Sequence, residues 1–140
     1  MRALLDPDVV VAAMRSPRGA SAELLRCIDK GSATLLMTVA LALEYQSKCM
    51  LAKHRLAAGL TEEEAGAFVD WLIAIAEPVK THYRWRPQLH DPGNELVLEA
   101  AVSGRATHLI TFNEKGLGKA EQNFGIPVIR PNEALRKIKS

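Results

Sequence analysis

The sequence has no apolar run approaching the roughly 20 residues needed to cross a bilayer, so a membrane-spanning helix is not expected. Nor is a secretory leader, because the apolar start after Arg2 is interrupted by Asp6 and Asp8; a cytoplasmic location is expected instead. The two cysteines, Cys27 and Cys49, sit in helical patterns without metal-ligand spacing, which predicts buried free thiols in a reducing compartment. His54, His82, His90 and His108 show no ligand spacing among themselves and read as ordinary surface or core residues. A net charge of +2 is too small to argue nucleic-acid binding, so any phosphate-binding surface has to come from local clustering. There is no Gly-rich phosphate loop, internal repeat, linker or low-complexity stretch.

What remains is a chain of 140 residues, 48% of them hydrophobic, enough for one core and a single domain spanning residues 1–140. Ala3-Leu4-Leu5, cut off by Asp6-Pro7-Asp8, reads as a short buried strand with acid at its C-terminal tip. Val9 to Met14 continues as a helix and Ser16-Pro17-Arg18-Gly19 as a loop; Ser21 is placed to cap the next helix and Gly31 to end it. Ala33 to Met37 reads as a second strand, and Thr38 to about Leu56 as one long helix. Thr61 and Glu64 form a capping box ahead of Ala65, Phe68, Val69, Leu72, Ile73 and Ala76, which keep the spacing of a helical apolar face.

Pro78 and Val79 begin an extended segment that becomes less regular from Tyr83 to His90. Asp91-Pro92-Gly93-Asn94 opens a helix that Gly104 closes. His108 to Thr111 and Ile126 to Ile129 are strands, separated by loop and weak helix, and Pro131 starts a basic terminal helix. This alternation predicts an α/β fold of three layers, α/β/α, around a parallel sheet of four to five strands.

Four places carry more polarity than folding requires, and each also has an ordinary explanation. Asp6 could cap the helix that follows it. Glu44, in an apolar helical stretch, could be a surface partner of Lys48 at i,i+4. Asp91, with Asn94 and Glu95 after it, is explained as a helix cap, and Asn113 in Thr111-Phe112-Asn113 as a turn residue. The first, third and fourth fall at strand ends or helix starts, the edge of a parallel sheet where ligands bind.

In that order and spacing the chain resembles the PIN domain, and more narrowly the toxin components of bacterial toxin-antitoxin systems (VapC-like ribonucleases). The resemblance covers nearly the whole length. It rests on Arg2 to Asp8, where the family usually has Asp-Thr-Asn; on Glu44; on the block Asp91 to Ala101; on Leu109 to Asn113; and on Gly125 to Pro131. It implies a metal-dependent endoribonuclease that hydrolyses RNA phosphodiester bonds, with Mg²⁺ or Mn²⁺ held by acids at the C-terminal edge of the sheet. Asp6, Glu44 and Asp91 are the implied catalytic residues, and Asp6, Asp8, Glu44, Asp91, Asn94 and Asn113 the implied metal ligands. A small antitoxin protein and a homodimer are the implied protein partners, alongside RNA.

Asn94 stands where most of the family has the third acid and Asn113 where many have the fourth, while Pro7 replaces a hydroxyl residue that often supports the first. Asparagine offers a carbonyl oxygen without negative charge. Asp8, Asp91 or Glu95 could restore charge, and the expectation is one well-held ion with a weak second site. Arg15 and Arg18 are the best candidates for an RNA-binding rim, and Tyr83-Arg84-Trp85-Arg86 interleaves basic and aromatic residues as single strands favour. The alternative is a catalytically weak or silent PIN-like module that binds RNA or protein without cutting.

Overall fold

The computed structural model describes residues 1–81 and 87–140. Its strands are β1 (Arg2–Leu5), β2 (Thr34–Met37), β3 (Glu77–Pro78), β4 (His108–Ile110) and β5 (Val128–Ile129). They form one parallel sheet in the order β3-β2-β1-β4-β5, with Ala3 opposite both Leu35 and His108. The run Ala3-Leu4-Leu5 is thus the middle of the sheet and completely buried. Strands covered on both faces lose the apolar-polar alternation of a half-exposed sheet, which is why β1, β2 and β4 read as short apolar runs.

The helices are α1 (Pro7–Arg15), α2 (Ala20–Asp29), α3 (Val39–Met50), α4 (Ala52–Ala57), α5 (Glu62–Ile75), α6 (Pro92–Ser103), α7 (Lys119–Phe124) and α8 (Pro131–Lys139), with a 3₁₀ turn at Lys115–Leu117. The chain winds outward from β1 through β2 to β3, then returns past β1 to β4 and β5. Right-handed crossovers in the two directions cover opposite faces, which gives the three layers. The reversal also creates a topological switch point between β1 and β4, the place where an open α/β sheet leaves a crevice at its C-terminal edge.

Local signals act as their chemistry requires in several elements. Thr61 and Glu64 close a reciprocal capping box at 3.0 and 3.1 Å, Asp91 caps α6, and Thr38 caps α3 by accepting from the Leu41 amide at 3.1 Å. Gly31 follows α2 with φ +86°, a conformation that costs glycine little. Pro78 lies in β3, an edge strand, where a missing amide donor is tolerated.

Three expectations are corrected. The stretch from Thr38 to Leu56 is two helices, because Leu51 is extended (φ −59°, ψ 131°) and α4 turns to pack on α1. No glycine or proline marks this break; it comes from tertiary packing. Ser21 is buried inside the first turn of α2, and Gly19 takes the capping position, where a Cβ would lie 3.1 Å from Ser16 Oγ. Ile73 is 44% exposed although Ala65, Val69 and Leu72 of the same helix are buried.

Tyr45 of α3, fully buried, donates its hydroxyl to the carbonyl of Leu5 at the tip of β1 at 2.5 Å. Burial first, and then the nearby Asp6 carboxylate, hold this phenol well above its usual pKa, so it stays a donor. Tyr45→Phe keeps the ring and loses the bond. It is expected to lower stability by about 1–2 kcal/mol, read as a lower urea midpoint at unchanged slope.

Candidate functional site

Asp6 is the first residue after β1 and the residue before α1. Its amide continues the sheet by donating to the Ile110 carbonyl at 2.9 Å. The side chain makes no capping hydrogen bond to α1, so the ordinary explanation of this acid does not describe it. Instead, the hydroxyl of fully buried Thr111 donates to Asp6 Oδ2 at 2.7 Å, and the same hydroxyl accepts from the Asn113 amide at 2.8 Å. Thr111 therefore supplies, from β4's end, the hydroxyl support that Pro7 cannot give. Burial raises the Asp6 pKa, opposed by the Thr111 bond and the nearby Asp8 amide, with Asp91 adding a smaller upward push.

Asp8, in the first turn of α1, accepts from the Phe112 amide through Oδ2 at 3.1 Å. Its Oδ1 is buried and has no hydrogen-bond partner among the described residues. Burial, followed by repulsion from Asp6, pushes its pKa up to about 6. Two half-buried carboxylates two residues apart thus sit on the β1 side of the switch point, each held by the end of β4.

A cavity of about 690 Å³ opens over them and is also lined by Glu44, Asn94 and Asn113. Glu44 comes from α3 and pairs with Lys48 at 3.8 Å, so the surface-pair explanation and a place in the cavity hold together. The two asparagines meet over Gly116: a Cβ there would lie 2.5 Å from Asn113 Nδ2 and 2.8 Å from Asn94 Nδ2. Glycine at this position makes room for both amides.

Three other candidates lie apart from the lining. Asp91 Oδ1 accepts from the Gly93 and Asn94 amides at 2.8 and 3.2 Å, capping α6, and reaches the cavity only through its field on Asp6. Glu95 accepts from the Gln88 and Leu89 amides, at 2.6 Å for the latter, and pins that segment instead of adding charge to the cavity. Arg18 is exposed in the loop between α1 and α2 and does not line the cavity. Tyr83-Arg84-Trp85-Arg86 and His82 lie outside the described residues.

Arg15 does line the cavity, together with Lys48, His54 and Phe112. His54 and Phe112 were not singled out by the sequence. His54 reaches the rim only because the chain breaks at Leu51, which leaves no local mark. Thr111 had a usable signal: a hydroxyl between Ile110 and Phe112 at a buried strand end needs a partner.

Among the described residues no three His, Cys, Asp or Glu side chains form a metal-binding group. The acids and amides lining the cavity offer oxygen donors, the Asp6 and Asp8 carboxylates, Glu44, and the amide oxygens of Asn94 and Asn113, with the His54 imidazole also in the lining. This set fits Mg²⁺ or Mn²⁺, hard ions that Mg²⁺ sites typically hold by one or two carboxylates with water completing the shell. The unpartnered Asp8 Oδ1 is the observation that favours a cation here, since an orphaned buried carboxylate oxygen is costly.

The raised Asp8 pKa makes folding depend on pH. The ionised form is disfavoured in the folded chain, so stability is full below the ordinary carboxylate value of about 4 and falls as pH rises through about 6. Asp8→Asn removes this dependence. In chelator-treated buffer the variant is expected to melt about 2–4 °C above the parent protein at pH 7.5, and thermal scans at pH 4 should bring the two together.

The crystal structure of VapBC2 from Rickettsia felis bound to a DNA fragment from their promoter contains a chain of similar fold. The TM-score is 0.64 at 14% sequence identity, with 93% of this chain and 98% of that chain covered. No curated protein matches the sequence significantly. The PIN domain model matches residues 2–115, from the first strand through Thr111 and Asn113. With that match over most of its length, the chain belongs to the PIN domain family.

Proposed function

We propose that the protein is a metal-dependent endoribonuclease of the toxin type, hydrolysing RNA phosphodiester bonds in the cavity over Asp6 and Asp8. The observation that carries this reading is the pair itself: two carboxylates forced together at the switch point of a PIN domain, one with a buried oxygen lacking a partner. Membership of the PIN domain family supports the reaction class, and the oxygen donors support the cofactor class.

In this reading Asp6 and Asp8 would hold Mg²⁺ or Mn²⁺, with Glu44 adding negative charge to the cavity wall and Asn94 and Asn113 offering neutral oxygens. An ion held there would supply an activated water near neutral pH and stabilise charge on the phosphate oxygens. Thr111 keeps Asp6 in one rotamer by donating to Oδ2, and the Phe112 amide does the same for Asp8. Asp91 acts through the helix start, placing Asn94 and adding negative potential at Asp6. Arg15 and Lys48 on the rim offset the acids and attract the RNA backbone.

A small antitoxin as inhibitor, a homodimer and a cytoplasmic location complete the proposal. The antitoxin draws support from the VapBC2 likeness and the resemblance of the motifs. The lack of a three-acid group among the described residues favours a second reading, a PIN domain that binds RNA without cutting.

Cleavage of RNA in Mg²⁺ or Mn²⁺ separates the two. The parent protein is expected to cut, and Asp6→Asn to lose about 100-fold or more in rate; binding without cleavage establishes the second reading, and equal cleavage by both proteins removes Asp6 from the site. Asn94→Asp adds the charge that the cavity lacks. Calorimetric titration with Mn²⁺ is expected to show affinity rising about tenfold in this variant.

A further inference from the structure

On the cavity rim Arg15 also meets His54, a residue with no part in the metal site. Arg15 is the last residue of α1, and His54 lies in α4, which the break at Leu51 turns back onto α1. Arg15 Nη1 and His54 Nδ1 are 3.2 Å apart, and both residues line the cavity over Asp6 and Asp8. Arginine side chains only donate hydrogen bonds, so His54 Nδ1 must accept. A hydrogen bond here requires the neutral ring with its proton on Nε2. A charged ring would point an N–H at the guanidinium. Partial burial, then the charges of Lys53, Arg15 and Lys48, act in the same direction by lowering the His54 pKa.

We infer that Arg15 and His54 form a phosphate clamp for the RNA backbone, with His54 donating Nε2–H to a phosphate oxygen and Arg15 fixing the ring that does so. The inference rests on the ribonuclease reading, and it names the groups that hold substrate rather than metal. A phosphodiester approaching the Asp6 and Asp8 carboxylates meets strong repulsion unless cationic and donor groups face it from the rim. Arg15 provides delocalised charge and a planar set of donors suited to phosphate. Lys48 already neutralises Glu44 in part at 3.8 Å, which leaves Arg15 as the better placed cation. His54 adds a directional donor without adding charge, so it orients the backbone instead of tightening every polyanion equally.

The test compares the full chain with His54→Ala, His54→Gln and Arg15→Ala in Mn²⁺-dependent cleavage of a fluorogenic RNA oligonucleotide. The same RNA is titrated by anisotropy against each variant in the Asp6→Asn background. Loss of one donor to phosphate is expected to raise KM about 3- to 10-fold in His54→Ala, with a smaller change in kcat. The amide nitrogen of glutamine reaches the Nε2 position, so His54→Gln should return KM to within about twofold of the parent. Arg15→Ala loses both the charge and the ring's support and should raise KM further.

Equal KM for the parent and His54→Ala overturns the clamp while leaving the nuclease reading intact, as does His54→Gln behaving like His54→Ala. If the parent does not cut RNA, that reading fails and the anisotropy arm decides. Binding weakened by His54→Ala and restored by His54→Gln sustains the clamp; unchanged binding, or no RNA binding by the parent chain, overturns it.

Discussion

The seam between the ends of β1 and β4 is the constraint on which the site depends. Asp6 continues β1 by donating its amide to Ile110, Thr111 answers from β4 by donating its hydroxyl to Asp6, and Phe112 donates its amide to Asp8. These bonds join residues more than 100 positions apart in sequence, and they do so in the middle of the sheet, where strands on both sides limit movement. Because parallel neighbours cannot be joined by a tight turn, a long connection separates β1 from β4, here running through α1 to α6. Asp6 and Asp8 are neighbours in sequence, but the groups that hold them, Thr111 and Phe112, arrive only through long-range contacts.

The seam also sets the electrostatics of a cavity that carries two asparagines beside its acids. Burial raises the cost of ionising both acids; the Asp6 charge adds to it at Asp8, and the Asp91 charge adds to it at Asp6. Asn94 and Asn113 line the cavity without charge, and Asp8 places a second acid two residues from Asp6. The asparagines keep the oxygen count, and Gly116 gives their side chains space.

Much of this was legible in residues whose signals are local. Ala3-Leu4-Leu5 followed by Asp-Pro-Asp marks the central strand, Thr61 with Glu64 marks α5, and Asp91-Pro92 marks α6, since caps and proline act through their nearest neighbours. The cavity's acids Asp6, Asp8 and Glu44 were legible as polar residues out of place. What the sequence hid is what distant contacts decide. Glu95 looks free to reach the cavity until residues 88–89 are placed against it. The Leu51 break lies in a stretch of ordinary helix formers, and His54 cannot be placed without it. Asp91 shows that a residue can satisfy its ordinary explanation and still bear on its neighbour's charge.

Tyr45 follows Glu44 directly in α3, and its hydroxyl is fastened to the carbonyl of Leu5, the residue directly before Asp6. The span between the two acids is therefore gauged by a bond that neither acid makes. A single phenol acts as the spacer between two separately folded pieces of backbone, and its own position is set by the apolar core beneath. The tolerance of the acidic cavity is in this sense a property of the packing around Tyr45: residues with no chemistry of their own determine how far apart the chemistry stands.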